Sequence, residues 1–299
     1  MAQFMKGHEL SSRIIRVVKD ETDRLGKIGI RAGLALVLVG QDRSSYMYYQ
    51  AIQSAAVRAG IDIFNHTLPE SSTLNDILNL IKTLNNDERA SGILVFLPLP
   101  RHIDTRKVMN SIASEKDVDG QGSISVGRLA TDESTSQLFE PGFAVAIKST
   151  FLPCTPYGVM RMLEHYGIEP KGKKAVVVGK SLAVGKPLAM MLLAREATVT
   201  VCHRETADLG AETRQADILC SATGRPGLFT AGMVKNGAVV VDIGINVLDN
   251  GETVGDVDFE PVAKKASFIT PVPSGVGPVT IAILMKNTVI SAKRMVGVG

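Results

Sequence analysis

Two α/β domains are predicted by three observations. A first series of apolar, strand-like runs alternates with amphipathic helical ones. A second such series begins after a loose connecting stretch, and 299 residues suffice for two cores. "SSRIIRVVKDETDRL" (11–25) carries apolar residues at helical spacing behind serines that can cap. "GLALVLVG" (33–40) is nearly all apolar and ends in glycine, as a buried parallel strand does. A helix through "YMYYQAIQSAA" (46–56) follows, then a strand "IDIFNHTLP" (61–69) and an amphipathic helix "LNDILNLIKTLNN" (74–86). The strand "SGILVFLPLP" (91–100) stops at Pro98 and Pro100, because proline cannot donate to a ladder. After "KDVDG" (116–120) the pattern loosens, and 131–152 read as an irregular connection. A helix resumes at "PCTPYGVMRMLEHYG" (153–167). Five strand candidates then recur: 174–179, 197–202, 216–222, 237–244 and 267–273. A closing helical run from residue 279 is expected to pack back on the first domain. The division is therefore 1–150 plus 284–299 against 151–283.

Composition narrows the function. The chain is 45% hydrophobic and 21% charged, with a formal net charge of +3, as ordinary soluble globular proteins are. Its one tight basic cluster, "KGKK" (171–174), precedes an apolar run and reads as a solvated loop, so no nucleic-acid partner is expected. Three scattered cysteines (Cys154, Cys202, Cys220) build no disulfide framework and, with five histidines, match no metal-ligand spacing. No run reaches membrane-span length, and the N-terminus lacks an uninterrupted apolar stretch. The expected setting is the cytoplasm, with the mitochondrial matrix also open.

"VVVGKSLAVGKPLAMMLL" reads as strand, glycine turn and helix. Gly179 permits the turn, and Gly185 lets the backbone approach a phosphate at the helix N-terminus, where unpaired N–H groups favour anions. The spacing is not G-x-G-x-x-G, so a turn that merely needs glycines is the competing reading. After the next strand come His203, Arg204 and Glu205. A carboxylate at the strand end suits NAD, whereas positive charge suits the 2′-phosphate of NADP. Arg204 and Lys180 favour NADP, with NAD possible; both as solvated surface cations is the alternative.

The segments "KDVDG…GRLA", "PCTPYGV", "VVVGKSLAVGKP", "ADILCSATGRPG", "AVVVDIGIN", "GDVDF" and "ITPVPSGVGPVTIAILMKNT" occur in this order. Together they resemble the bifunctional methylenetetrahydrofolate dehydrogenase/methenyltetrahydrofolate cyclohydrolase family along nearly the whole chain. The family form of the last segment has glycine where Ser274 stands. The resemblance implies an N-terminal three-layer α/β catalytic domain, a Rossmann-type dinucleotide-binding domain, a folate cleft between them and a homodimer. It implies oxidation of 5,10-methylenetetrahydrofolate with NAD(P), then hydrolysis of 5,10-methenyltetrahydrofolate to 10-formyltetrahydrofolate. It places cofactor binding on Gly179, Lys180, Ser181, Gly185, Arg204, Thr223, Gly224 and Ile245. Substrate binding falls on Tyr48, Leu97, Pro98, Asp119, Pro273, Gly275, Pro278 and Thr280. Tyr48, with Ser45 of its S-x-x-Y motif, and Asp119 carry over as the active-site pair. Tyr48 is implied to pack beside the aminobenzoyl group, and the Asp119 carboxylate to accept paired N–H donors from the pterin-like ring. A core aromatic and a turn-forming acid beside Gly120 are the respective alternatives; the latter stays open for Asp117.

Two positions depart from the family. Its catalytic lysine lies four residues after the tyrosine, on the same helix face; here that residue is Ile52. Shifting the register to Tyr49 puts Gln53 in the slot and misaligns Ser45, Ala55 and Gly60–Ile61, so neither register supplies a lysine. The family's V-Q-L-P-L-P has a glutamine that tunes the lysine, and here Phe96 replaces it. Hydride transfer needs orientation rather than an acid or base, because the folate nitrogens stabilise the cation. Hydrolysis needs a titrating group near the attacking water. The expectation is an NADP-dependent dehydrogenase with weak or lost cyclohydrolase. The alternatives are the same hydride chemistry on another cyclic amine or imine, or a non-catalytic folate- or nucleotide-binding paralogue.

Overall fold

The computed structural model describes residues 1–40, 42–131 and 150–298; most of the irregular connection expected at 131–152 thus lies outside the described residues. The chain divides into two compact units. The first holds 11–131, 150–154 and 281–298; the second holds Met1–Leu10 and Thr155–Thr280.

The chain opens with β1 (Gln3–Phe4) and α1 (His8–Lys27). The first unit then runs β2 (Gly33–Val39), α2 (Arg43–Ala59), β3 (Asp62–Leu68), α3 (Leu74–Asn86), β4 (Gly92–Val95), α4 (Thr105–Ser111) and α5 (Ser123–Thr131). Its strands form a parallel sheet in the order β3-β2-β4. Every residue of β2 is buried, which explains its unbroken apolar run. The core packs Ala35, Val37, Ile77, Ile81, Ile93 and Val95. Local chemistry fixes the helix ends: Thr73 and Asp76 form a capping box on α3, and Gly60, at φ 70°, closes α2. The sequence pattern loosened after residue 120, where the short α5 forms, and the equally short α4 before it was not anticipated.

The second unit continues with α6 (Cys154–His165), β5 (Lys174–Val178), α7 (Gly185–Ala194), β6 (Thr198–Cys202), α8 (Leu209–Thr213), β7 (Ile218–Ser221) and β8 (Val239–Asp242). It ends with the hairpin β9 (Asn246–Val247) and β10 (Thr253–Val254), then α9 (Phe259–Ala263), β11 (Phe268–Ile269) and α10 (Val276–Met295). The later part of α10 belongs to the first unit. A six-stranded sheet has the order β1-β11-β8-β7-β5-β6, and all its pairings are parallel. The sequence reading gave five of these strands; the sixth is β1, which pairs Gln3 with Phe268. The expected strand 267–273 shrinks to Phe268–Ile269, since Pro271 and Pro273 offer no N–H to a neighbour. Among the described residues no helix is long and apolar enough to cross a membrane, and no His/Cys/Asp/Glu group could hold a metal.

Candidate functional site

In each sheet the chain reverses direction of winding beside one strand, the central β2 in the three-stranded sheet and β5, next to the edge strand β6, in the six-stranded one. Ligands of open α/β sheets bind at the carboxyl ends of the strands at such points. In the first unit, α2 starts just after β2. Asp42 caps it, its Oδ2 accepting from the Ser45 N–H at 2.8 Å. The Ser45 hydroxyl lies 2.9 Å from Asp42 Oδ2 and 3.2 Å from the Leu97 carbonyl, which ties the helix start to the turn after β4. The Leu97–Pro98 peptide in that turn is cis. Half-buried Tyr48 meets Phe96 edge-on at 6.0 Å between ring centres, and Tyr49 meets the same ring at 5.7 Å. Ile52 is fully buried and Phe96 is 3% exposed. Two aliphatic or aromatic side chains thus fill the slots where the resemblance calls for lysine and glutamine.

Within the "KDVDGQG" turn the two acids have different hydrogen-bond surroundings. Lys116 Nζ donates to the carbonyls of Leu84 at 3.0 Å and Asp87 at 2.7 Å, pinning the segment. Asp117 accepts from Gly122 N–H at 2.9 Å, Ser125 Oγ at 2.7 Å and Gln121 N–H at 3.1 Å, so it is the turn-forming acid. Burial nevertheless pushes its carboxyl up to about 6. Asp119 accepts from the Gln121 amide on Oδ2, and the Cys154 thiol is its other side-chain hydrogen-bond partner among the described residues. Burial, then the neighbouring Asp117 charge, raises Asp119 to about 7, against the lowering pull of Cys154 and Gln121. Burial, Asp119 and Cys154 in turn raise the Tyr48 phenol well above its ordinary value. Asn287 of α10 donates to the Val118 carbonyl at 2.8 Å and reaches Cys154 Sγ at 3.4 Å, buttressing the turn from behind. The structure therefore brings Tyr48 and Asp119 into electrostatic contact. Gln121, Cys154 and Asn287 were not singled out by sequence reasoning, although Cys154 lies inside "PCTPYGV", Asn287 inside "ITPVPSGVGPVTIAILMKNT" and Gln121 directly after "KDVDG".

In the second unit, the Gly179 N–H bonds the Cys202 carbonyl at 2.9 Å, setting the loop after β5 beside His203 and Arg204. Close packing explains the two glycines. A Cβ on Gly185 would lie 1.9 Å from the Gly179 carbonyl oxygen, and one on Gly179 would lie 2.3 Å from that of Ala222. The first turn of α7 is already satisfied: Val184 and Gly185 N–H donate to Ser181 Oγ at 3.2 and 3.3 Å, and Lys186 N–H to the Ser181 carbonyl at 3.1 Å. Pro187 has no N–H. By contrast, the N–H groups of Lys180, Ser181, Leu182 and Ala183 find no acceptor among the described residues. The N–H groups without an acceptor among the described residues thus lie in this loop, just ahead of the helical turn to which the sequence pattern pointed, and backbone donors of this kind suit an anionic dinucleotide pyrophosphate. Exposed Lys180 sits on the same loop. The Arg204 side chain is 79% exposed and pairs with Glu205 at 2.8 Å. Thr223 and Gly224 follow β7, and Ile245, 55% exposed, follows β8, all at the same end of the sheet.

The remaining expected residues surround the start of α10. Pro273 is exposed after a cis Val272–Pro273 peptide, Gly275 is buried, Pro278 is partly buried, and the buried Thr280 hydroxyl donates to the Val276 carbonyl at 3.3 Å. Ser274 adopts φ 88°, a left-handed conformation that glycine takes freely, while its carbonyl accepts from the Gly7 N–H at 2.9 Å. Relief of backbone strain outweighs the extra chain entropy of glycine here, so Ser274→Gly is expected to stabilise the fold by about 0.5–1 kcal/mol. The denaturant midpoint should rise at unchanged slope; a fall would show that the serine is unstrained.

Comparison with known proteins agrees with this geometry. Residues 5–119 match the tetrahydrofolate dehydrogenase/cyclohydrolase, catalytic domain, and residues 153–296 match the tetrahydrofolate dehydrogenase/cyclohydrolase, NAD(P)-binding domain. The chain is 51% identical over 293 residues to the bifunctional protein FolD of Moorella thermoacetica, covering 98% of this chain and 99% of the relative. It is 52% identical over 292 residues to that of Wolinella succinogenes, covering 97% of each. The crystal structure of the bifunctional enzyme FolD from Campylobacter jejuni superposes with a TM-score of 0.89 at 46% identity, over 98% of this chain and 99% of that one. The Trypanosoma brucei dehydrogenase-cyclohydrolase, complexed with NADP cofactor and inhibitor, superposes with a TM-score of 0.89 at 34% identity, over 99% and 98%.

Proposed function

Because the chain belongs to the tetrahydrofolate dehydrogenase/cyclohydrolase family, we propose that it oxidises 5,10-methylenetetrahydrofolate to 5,10-methenyltetrahydrofolate with NADP, and that its hydrolysis of the product is weak or absent. The observation that carries the second clause is the pair of buried apolar side chains, Ile52 and Phe96, in the slots of the catalytic lysine and its glutamine. In the oxidation, the methylene C–H bond breaks and the hydrogen leaves with both electrons. When bound, NADP supplies the nicotinamide that accepts this hydride. The positive charge left behind is shared by the two flanking folate nitrogens, so no protein group has to take a proton. What the chain contributes is orientation. Tyr48 packs the aminobenzoyl group, Asp119 holds the ring N–H donors, and the loop 180–183 with Lys180 and Arg204 holds the phosphates. NADP rather than NAD is favoured by those two cations, Lys180 after β5 and Arg204 after β6, and the active species is a homodimer.

Hydrolysis is a different demand. Water must lose a proton as it attacks and a ring nitrogen must gain one, and a positioned acid–base group contributes about 10²–10⁴-fold to such steps. Neither Ile52 nor Phe96 titrates. Purified protein is expected to reduce NADP, and NAD more slowly, with methylenetetrahydrofolate, while methenyltetrahydrofolate decays at its spontaneous rate. Decay well above that rate would sink the claim of loss. Tight NADP binding without folate oxidation would point to a different cyclic amine or imine.

A further inference from the structure

We propose that Asp256, the first acid of "GDVDF", is the residue that positions both cofactor-facing loops of the second unit, and so sets NADP affinity without touching the folate. This rests on the NADP-dependent reading above. Asp256 is fully buried. One oxygen, Oδ2, accepts from the Thr223 N–H at 2.7 Å and the Thr223 hydroxyl at 2.9 Å. The other, Oδ1, accepts from the Arg225 N–H at 3.0 Å and the Asn246 amide at 3.0 Å. Thr223 and Arg225 belong to the loop after β7, and Asn246 opens β9 directly after Ile245, the last residue of the loop that follows β8. A single carboxylate therefore fixes the two loops to which Thr223, Gly224 and Ile245 belong.

The packing around it admits no substitute. A second buried acid, Asp242 at the end of β8, accepts from the N–H groups of Gly244 at 3.1 Å, Asp256 at 3.1 Å and Val257 at 2.9 Å. Ser221 Oγ donates to Asp242 Oδ1 at 3.0 Å. Asp242 thus holds the backbone on which Asp256 stands. The neighbouring glycines leave the room both acids need: a Cβ on Gly244 would lie 2.1 Å from Asp256 Oδ1, and one on Gly255 would lie 1.9 Å from Asp242 Oδ2. Four donors lie within 3.0 Å of Asp256, two on each oxygen, with the Ser221 hydroxyl a fifth at 3.5 Å from Oδ2, so both oxygens act as acceptors. In Asp256→Asn, one oxygen is replaced by an NH₂ group, which sets donor against donor at either Thr223 or the Arg225–Asn246 pair. Loss of hydrogen bonds to a buried charge then loosens one loop.

The test pairs Asp256→Asn with the milder Asn246→Ala, which removes one donor at a half-buried site, and with Val262→Ala, a core truncation in the same unit. Calorimetry with NADP alone should show Kd raised about 10–100-fold in Asp256→Asn and about 3–10-fold in Asn246→Ala, by the scale of charge-assisted hydrogen bonds. Hydrogen exchange at the Thr223 and Arg225 amides should accelerate in Asp256→Asn without any ligand present. The KM for NADP should rise while the KM for the folate stays within about twofold, since a loop set for the dinucleotide alone changes one binding constant and not the other. Val262→Ala should lower the melting temperature and leave NADP affinity unchanged. NADP affinity unchanged in a folded Asp256→Asn, or reduced equally in Val262→Ala, would overturn the proposal. Should the wild-type protein bind NADP yet oxidise no folate, the functional reading fails while the binding and exchange results still decide the role of Asp256.

Discussion

Asp119→Asn is expected to lower kcat/KM for folate oxidation by about 10²-fold or more while raising the melting temperature above pH 7. The two effects have one origin. Burial, with the Asp117 charge beside it, raises the Asp119 carboxyl to about 7, whereas an unfolded aspartate titrates near 3.9. Between those values the folded chain binds a proton that the unfolded chain does not. Stability therefore falls as pH rises through that window, and above pH 7 the fold carries the full cost of a buried, ionised Asp119. Asparagine has nearly the same shape, stays neutral, and still offers an oxygen to Gln121. It removes the cost but cannot accept two N–H donors from a folate ring. Melting curves of the two proteins should converge near pH 4 and separate progressively toward pH 8, with the variant higher. Parallel curves, or a variant less stable at pH 8, would mean that Asp119 is compensated in a way its surroundings do not reveal. In the wild type, kcat/KM should also fall as pH drops through about 7, when the acceptor is protonated.

How far the sequence foretold this follows from the range over which each interaction acts. The buried strand β2 was legible because both its faces are covered, so every residue had to be apolar. Gly179 and Gly185 were legible because the turn they allow is local, although the donors of that turn prove to lie at 180–183. Asp117 and Asp119 stand two residues apart in one turn, and only the three-dimensional count of donors separates the turn-forming Asp117 from the less satisfied Asp119. The strand β1 was invisible: it is two residues long, and its partner Phe268 lies at the other end of the chain. Asp256 shows the same limit. "GDVDF" marks it as part of a motif, but its partners Thr223 and Arg225 precede it by 33 and 31 residues, so no spacing rule could have given its role.

Restoring both polar residues, in Ile52→Lys/Phe96→Gln, is expected to raise methenyltetrahydrofolate hydrolysis by about 10²–10⁴-fold over the wild type. Neither single change should do so. Ile52 is fully buried, and a lysine there without a partner is driven toward its neutral form or destabilises the fold. Phe96 is 3% exposed, and a lone glutamine leaves a buried amide unpaired and removes the ring that Tyr48 and Tyr49 pack against. Together the two groups supply each other's partner, so their effects on the melting temperature should be less than additive. Burial then becomes useful: it brings the lysine from about 10.4 toward neutrality, where a base one helical turn from Tyr48 can take the proton of an attacking water. Dehydrogenase activity should persist within about tenfold, because hydride transfer depends on orientation and not on that proton. Hydrolysis and hydride transfer measured on the four proteins of the cycle separate the outcomes. If the double variant still oxidises methylenetetrahydrofolate but hydrolyses no faster than wild type, the absence of hydrolysis does not reside in these two residues.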